Sequence, residues 1–207
     1  MILRLILGRK HPRIARTGLE WFRSALLVGG LLCVGSVIAL SGFRSAYQAY
    51  ESWMFDRTLS RVSAPGSVPP TAPGREFKAR LAIERLHISA IVEEGVGDRT
   101  LDLAVGHIPS TGYPGEPGNI GLAAHRDTLF RNLKDIRVGD RIALSSVDGM
   151  FAYRVVSLKI VMPSDVWVLE SSGASELLTL VTCYPFFYVG HAPKRFIVRA
   201  ERIPKDG

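Results

Sequence analysis

Hydrophobic and polar residues follow three successive patterns along the chain. Residues 24–43 are uncharged and almost continuously apolar, and about twenty such residues suffice for a helix to cross a bilayer core of roughly 30 Å. Residues 60–78 contain four prolines and no periodicity, which favours an extended spacer. From residue 79 onward, short segments rich in β-branched residues alternate with turn residues, which predicts a mostly β domain.

The β domain divides into predicted strands and two short helical segments. The strands lie at 80–85, 90–94, 119–124, 140–145, 151–161, 177–183 and 196–203, and the helical segments at 99–105 and 128–136. So many strands suit a closed barrel, because closure removes exposed strand edges. The predicted parts are a basic amino-terminal segment at 1–23, a membrane helix at 24–43, a juxtamembrane stem and spacer at 44–78, and the β domain at 79–204.

The basic residues predict the topology. The formal net charge is +7, and six basic residues precede the apolar run, namely Arg4, Arg9, Lys10, Arg13, Arg16 and Arg23. The positive-inside rule therefore places the amino terminus in the cytoplasm and everything after Arg44 outside. We predict a single-pass protein of the plasma membrane that contacts the lipid bilayer and no nucleic acid. A signal peptide cleaved after 39–41 is the alternative, although signal cores usually have only about 7 to 15 apolar residues.

An aromatic segment follows the apolar run. Tyr47, Tyr50, Trp53, Met54 and Phe55 fall at intervals close to three and four residues, which predicts one side of a short helix. We interpret this segment as a juxtamembrane anchor at the level of the lipid headgroups. An ordinary amphipathic stem of the β domain is the alternative.

The two cysteines of the chain have different surroundings. Cys33 lies within the predicted membrane helix and Cys183 ends a predicted strand, so Cys183 has no intrachain disulfide partner within reach. In a compartment where thiols oxidise, a lone thiol indicates a reactive nucleophile. A buried, chemically inert cysteine is the alternative.

Cysteine chemistry on a peptide carbonyl also requires a proton donor. His125 follows the predicted strand at 119–124, and His191 lies in the same hairpin loop as Cys183, so the residues alone leave both histidines open. Asp127 is predicted to cap the helical segment beginning near Thr128 rather than to hold His125. The remaining histidines, His11, His87 and His107, are predicted to be solvated or structural.

The third requirement of this chemistry is a cationic or hydrogen-bonding group that stabilises the oxyanion, and an arginine can supply it. A guanidinium remains protonated and presents several donors in a fixed fork, so it can bind a peptide but cannot act as a base. Arg195 and Arg199 lie on the same face of the last predicted strand, because alternate residues share a face. Spacing alone does not choose between them.

The cysteine hairpin resembles the active-site hairpin of the sortases, the membrane-anchored cysteine transpeptidases of bacterial surfaces. Family members place the nucleophile in a Thr-Leu-x-Thr-Cys strand, which matches residues 179–183, and an arginine at the start of the returning strand, which matches Arg195. A Pro-Gly-x-Pro-Gly-Asn turn and a Gly-His-Arg strand end are matched by residues 114–119 and 124–126, with Ala124 replacing the glycine. The hairpin loop looks most like the class D sortases.

The resemblance implies a sortase-like β-barrel of eight strands with short helices. It implies that Cys183 is the nucleophile, His125 the proton donor and acceptor, and Arg195 the stabiliser of the oxyanion and substrate, with Thr182 in the substrate groove. The implied partners are substrate proteins with a carboxyl-terminal LPxTG-like sorting signal and an amine acceptor such as a cell-wall precursor.

The resemblance implies no cofactor, although calcium assists one branch of the family. Glu93, Glu94 and Asp98 form an acidic cluster, which we interpret as a solvated loop. Two alternative functions follow from other classes of protein. One is another extracytoplasmic cysteine transpeptidase or peptidase, although the Ser-x-Gly-Cys signature of L,D-transpeptidases is absent before Cys183. The other is a non-catalytic membrane-tethered β-domain, in which Cys183 would be inert.

Overall fold

A computed structural model describes residues 14–62, 77–171, 173 and 175–204. The chain divides into two compact units, residues 1–43 and 44–207. Helix α1 extends over Ile14–Val62, and it contains a stretch that is long and apolar enough to cross a membrane. The predicted apolar run at 24–43 lies within this helix. Residues 1–13 and most of the predicted spacer, 63–76, lie outside the described residues.

The second unit is built from short strands. Its strands are β1 Lys78–Ile83, β2 Ile88–Glu94, β3 Val105–His107, β4 Gly118–Ala123, β5 Arg141–Ser146, β6 Gly149–Val161, β7 Glu176–Tyr184 and β8 Lys194–Arg202. Its helices are α2 Asp98–Leu103 and the 3₁₀ helices Glu84–Leu86, Arg131–Asp135 and Val166–Leu169. Seven of these strands overlap the predicted ones. Strand β3 was missed, because three residues are too few to show a period.

The strands close into a barrel in the order β1-β2-β3-β4-β7-β8-β6-β5. Closure occurs because β1 pairs with β2 on one side and with β5 on the other. The pairs β2–β3 and β4–β7 are parallel, and the remaining pairs are antiparallel. The predicted eight-stranded closed barrel is confirmed.

Alternating side chains fill the barrel interior. Leu178 and Leu180 on β7 belong to the buried core together with Val198 on β8 and Leu122 on β4. Because successive strand residues point to opposite faces, the residues between them face outward. This alternation decides which side chains of β4, β7 and β8 share the outer surface.

An ion pair with a defined pH dependence links two loops of the barrel. The carboxylate of Asp140 accepts hydrogen bonds from Arg85 Nε at 2.7 Å and from the Arg137 backbone N–H at 2.8 Å. The hydrogen bond from Arg85 holds the pKa of Asp140 below its ordinary value. The ionised carboxylate therefore stabilises the folded state above the pKa of the unfolded chain, and this contribution is lost as pH falls through the folded-state pKa.

Asp140→Asn is expected to lower the free energy of unfolding by about 1 kcal/mol near pH 7. The difference from the wild type should shrink near pH 3, because the wild-type carboxyl of the unfolded chain is then protonated. Urea denaturation of the full chain in detergent, followed by tryptophan fluorescence, measures both values. An unchanged difference at the lower pH would contradict this assignment.

Candidate active site

Parallel pairing brings the carboxyl ends of β4 and β7 to one edge of the barrel. Ala123 pairs with Val181, and the Ala124 N–H continues the pairing by donating to the Val181 carbonyl at 3.3 Å. His125 and Cys183 each follow this pair by two residues. The structure therefore places His125 and Cys183 at the same edge, although 58 positions separate Cys183 from His125 in the sequence.

Cross-strand pairing adds an arginine to this edge. Cys183 on β7 lies directly opposite Arg195 on β8, and directly opposed residues share a face of the sheet. The neighbouring residues Leu180 and Val198 are in the core, so alternation turns Cys183 and Arg195 outward. His125 has the same outward parity, because Ala124 before it belongs to the core.

The exposure of these groups suits chemistry at the surface. Cys183 is a free thiol of intermediate burial, so a solvent-borne reagent or substrate can reach it, unlike a cysteine packed in the core. The side chain of His125 is 39% exposed. The guanidinium of Arg195 donates to the backbone carbonyls of Ala192 at 3.2 Å and Lys194 at 3.1 Å, which hold it beside the start of β8.

The second candidate arginine has a different contact. Arg199 donates from Nη2 to the Val168 carbonyl at 2.8 Å, so it supports the 3₁₀ helix Val166–Leu169. It pairs across the sheet with Thr179, four residues before Cys183, which corresponds to about 13 Å along the strand. Sheet register thus places Arg195, and not Arg199, beside the thiol.

Thr182 makes a contact other than the predicted one. Its side chain is 2% exposed, and its hydroxyl donates to the Ala124 carbonyl at 2.7 Å. Alternation turns Thr182 into the barrel, opposite to Cys183. The hydroxyl joins the ends of β4 and β7 directly beneath His125 and Cys183, so it positions these residues rather than lining an open groove.

Arg126 joins the histidine segment to the loop that follows Cys183. Its guanidinium donates to the backbone carbonyls of Pro185 at 3.0 Å, Tyr188 at 2.8 Å and Gly190 at 3.2 Å. The guanidinium carbon also lies 5.8 Å from the centroid of the Tyr188 ring, within the range of a cation–π interaction. One planar side chain therefore orders most of the β7–β8 loop.

Arg126→Lys is expected to loosen the β7–β8 loop, because an ammonium cannot satisfy three carbonyls arranged for a planar fork. The matched control is Arg131→Lys, since Arg131 is exposed in the next 3₁₀ helix. Limited proteolysis measures the effect, and the loop of Arg126→Lys should be cleaved about tenfold faster than that of the control. Equal cleavage of the two variants would show that Arg126 does not order the loop.

The remaining histidines fall into two groups. The ring of His107 is buried at 0% exposure, with Nδ1 at 2.8 Å from Glu94 Oε2 and Nε2 at 3.0 Å from the Thr111 hydroxyl. Both ring nitrogens of His107 therefore have partners within the barrel, as expected for a structural residue. His87 and His191 are exposed, and His191 lies in the β7–β8 loop.

Asp102 is a neighbour of His125 that sequence reasoning missed. Its Oδ1 lies 3.9 Å from Nε2 of His125 and 3.6 Å from a guanidinium nitrogen of Arg44. These residues are far apart in the sequence, and no motif links them. The predicted cap at Asp127 is wrong, because the helix there begins at Arg131 without a side-chain cap.

A cleft of about 550 Å³ lies near the start of β4, between residues 108–112 and 166–171. A Cβ atom at Gly121 would lie 3.0–3.1 Å from side-chain atoms of Thr111, Ile108 and Leu169, so the chain packs closely over this glycine. Asn119 donates to the carbonyls of Val168 at 3.2 Å and Glu170 at 3.3 Å. These contacts fix the two walls of the cleft.

Two carboxylates of the acidic cluster, Glu93 and Glu94, contact other side chains of the protein. Glu93 accepts a hydrogen bond from the Tyr47 hydroxyl at 2.7 Å, and Glu94 contacts the ring of His107. Across residues 14–62, 77–171 and 175–204, no three His, Cys, Asp or Glu side chains are grouped to hold a metal ion. That the protein needs no cofactor stays a sequence-based prediction.

Comparisons with known proteins agree on one family. The sortase domain matches residues 81–203. Sortase D of Bacillus subtilis (strain 168) is 39% identical over 123 residues, which cover 59% of this chain and 62% of that protein. Sortase SrtE1 of Streptomyces coelicolor is 34% identical over 142 residues, which cover 60% of this chain and 39% of that protein. The matches to these two curated relatives thus span less than two thirds of their lengths.

The solved structures give the same result for the fold. A Clostridium perfringens protein described as a sortase D5 transpeptidase superposes with a TM-score of 0.60 at 25% identity. The superposition covers 78% of this chain and 98% of that one.

Proposed function

The chain belongs to the sortase family, and on that premise we propose that it is a membrane-anchored cysteine transpeptidase. It cleaves an LPxTG-like sorting signal and transfers the protein that carries the signal to an amine acceptor on the cell envelope. The observation that carries this proposal is the shared edge of the barrel, where Cys183 lies opposite Arg195 and His125 follows the end of the adjacent strand β4.

The reaction proceeds in two acyl transfers. The thiolate of Cys183 attacks the carbonyl carbon of the scissile peptide bond, a C–S bond forms, and the C–N bond breaks as His125 gives a proton to the departing amine. The acceptor amine then attacks the thioester, His125 takes up the proton that the amine loses, and the C–S bond breaks. Cys183 is regenerated as a thiolate, and one amide has been exchanged for another.

Arg195 stabilises the negative charge that develops on the carbonyl oxygen. It shares the outer face with Cys183 through direct cross-strand pairing, and a guanidinium remains protonated at every working pH. Fixed donors aimed at a developing oxyanion are among the largest contributions to catalysis. Its contacts with the carbonyls of Ala192 and Lys194 leave part of the fork available to a substrate.

The path along β7 from the cleft to the thiol suits an extended peptide. Asn119, which lines the cleft, pairs with Leu177, six residues before Cys183, so this path is about 20 Å long. An extended segment of about six residues spans that length. The length of the path therefore matches a short linear signal.

The location of the domain follows from the apolar helix. Helix α1 is compatible with a membrane anchor by length and composition, and the basic residues before it favour a cytoplasmic amino terminus. The catalytic barrel then lies outside the membrane, where sorting signals and cell-wall amines are found. We propose that it needs no cofactor, because thiol, imidazole and guanidinium supply every group the two transfers use.

Mass spectrometry of the full chain tests the proposal. The protein in detergent is incubated with LPxTG-like peptides and an amine such as triglycine. Peptide cleaved within the signal and joined to the amine, together with an acyl adduct on Cys183, supports the transpeptidase. If Cys183 stays unmodified by every peptide and also resists an alkylating reagent, the proposal fails in favour of a non-catalytic β-domain.

A further inference from the structure

The carboxyl-terminal part of α1, residues 44–62, is bonded to the barrel within the second unit. The side-chain amide of Gln48 accepts from the Ile91 N–H at 2.9 Å and donates to the Leu103 carbonyl at 2.5 Å. Pairing of β2 with β3 begins only at Val92 and Val105. The Gln48 amide therefore bridges Ile91 and Leu103 just before the first backbone pair between β2 and β3.

Further contacts hold the same helical segment on β1 and β2. Phe55 is 2% exposed, and Arg80 donates to Asp56 and to the Ser52 carbonyl, each at 2.8 Å. The Tyr47 hydroxyl donates to Glu93 at 2.7 Å, and burial, together with this carboxylate, raises the pKa of Tyr47. The segment is thus part of the folded domain, as the stem interpretation of the aromatic residues predicts.

Helix α2 lies between this segment and the active site. Its last residue, Leu103, accepts the hydrogen bond from Gln48. On its other side, a Cβ atom at Gly106 of β3 would lie 2.9 Å from the Leu101 side chain and 2.3 Å from the Gly95 carbonyl oxygen. Only glycine permits this approach, so α2 rests directly on β3 and has little freedom to shift.

Asp102 of α2 is held next to the proton-transfer group. Its carboxylate lies 3.9 Å from Nε2 of His125 and 3.6 Å from Arg44 of α1. His125 itself follows the end of β4. In the turn hydrogen bonds of the described residues, its carbonyl accepts from the N–H groups of Thr128 and Phe130, and its own N–H takes no part. The orientation of its ring therefore depends on side-chain neighbours.

We propose that Asp102 is a positioning residue for His125, and that Arg44 and Gln48 of the juxtamembrane helix hold Asp102 in place. A carboxylate facing Nε2 orients the imidazole and leaves Nδ1 for the departing and incoming amines. The 3.9 Å separation exceeds a hydrogen bond, so the interaction acts through charge or through a bridging water. This inference rests on the proposed transpeptidase function.

Kinetics of the full chain in detergent test the role of Asp102. Asp102→Asn is expected to lower kcat about tenfold with KM changed by less than about twofold, because misorientation of the imidazole affects proton transfer and not peptide binding. Asp102→Glu should recover at least about a third of the loss, since it restores the carboxylate. The matched control is Asp98→Asn, which changes the same charge on the exposed start of α2 and should retain wild-type kcat.

Gln48→Glu tests the contribution of α1 to the same site. It keeps the acceptor for Ile91 and removes the donor to Leu103, so it should lower kcat in the same direction as Asp102→Asn. A purely structural role would instead lower the unfolding temperature and kcat together, with no recovery in Asp102→Glu. That pattern, or wild-type kcat in Asp102→Asn, would overturn the inference.

Alkylation of Cys183 by iodoacetamide separates this inference from the proposed function. The reagent needs no sorting signal, and its rate reports the thiolate beside a correctly placed imidazole. Slower alkylation of Asp102→Asn than of Asp98→Asn supports the positioning role even if no peptide is transferred. Equal alkylation rates together with equal kcat values would refute the positioning role while leaving a transpeptidase intact.

Discussion

Cys183→Ala is expected to abolish acyl transfer and to leave the barrel folded. Without the sulfur no thioester can form, so the rate of peptide transfer should fall by more than about a thousandfold. The fold should persist because Cys183 lies on the outer face at intermediate burial, where loss of one sulfur atom creates no core cavity. Chromatography of the transfer product and circular dichroism measure the two quantities.

Cys33→Ala is the matched control for this substitution. Cys33 is the other cysteine of the chain and lies in the apolar stretch of α1, far along the sequence from the proposed site. Its loss should leave transfer unchanged. Substantial transfer by Cys183→Ala, in a preparation free of wild-type protein, would exclude the covalent mechanism altogether.

Arg195→Ala is expected to give the second-largest loss, about a hundredfold or more in kcat. The thiol and imidazole remain, but the oxyanion loses the guanidinium that lies opposite Cys183 in the sheet. Arg195→Lys should restore only part of the rate, because an ammonium offers a point charge without the fork geometry. Single-turnover measurement of acyl-enzyme formation isolates the affected step.

Arg199→Ala is the control that distinguishes a role in the acyl transfer from a role in the structure of the cleft. Arg199 lies on the same strand and face but donates to the Val168 carbonyl, so its loss should loosen one wall of the cleft and raise KM more than it lowers kcat. If Arg199→Ala lost kcat and Arg195→Ala lost only binding, the roles of the two arginines would have to be exchanged.

Motifs in the sequence identified the proposed catalytic groups, and sheet register supports these proposals. Spacing left Arg195 and Arg199 equivalent, since both share a face of the strand. Pairing of β7 with β8 sets Arg195 opposite Cys183 and Arg199 opposite Thr179. The parallel pairing of β4 with β7 likewise brought His125 to the edge that carries Cys183, whereas His191 is exposed in the loop.

Other contacts of the structure could not be predicted from local patterns in the sequence. The polar network of Asn119, Thr179 and Val168 joins three segments, with the Thr179 hydroxyl donating to Asn119 at 2.8 Å. The buried hydroxyl of Thr182 is another case, because a motif position does not say which way a side chain points. Each depends on which strands become neighbours, and no period or motif reports that.

The amino-acid sequence by itself determined the apolar helix, the alternation of short strands and the cysteine, histidine and arginine motifs, because these are properties of contiguous residues. Tertiary structure alone decided that residues 44–62 of α1 pack on the barrel and that Asp102 lies beside His125. Both contacts join segments far apart in the chain. Their free energy depends on closure of the whole barrel, which local patterns do not encode.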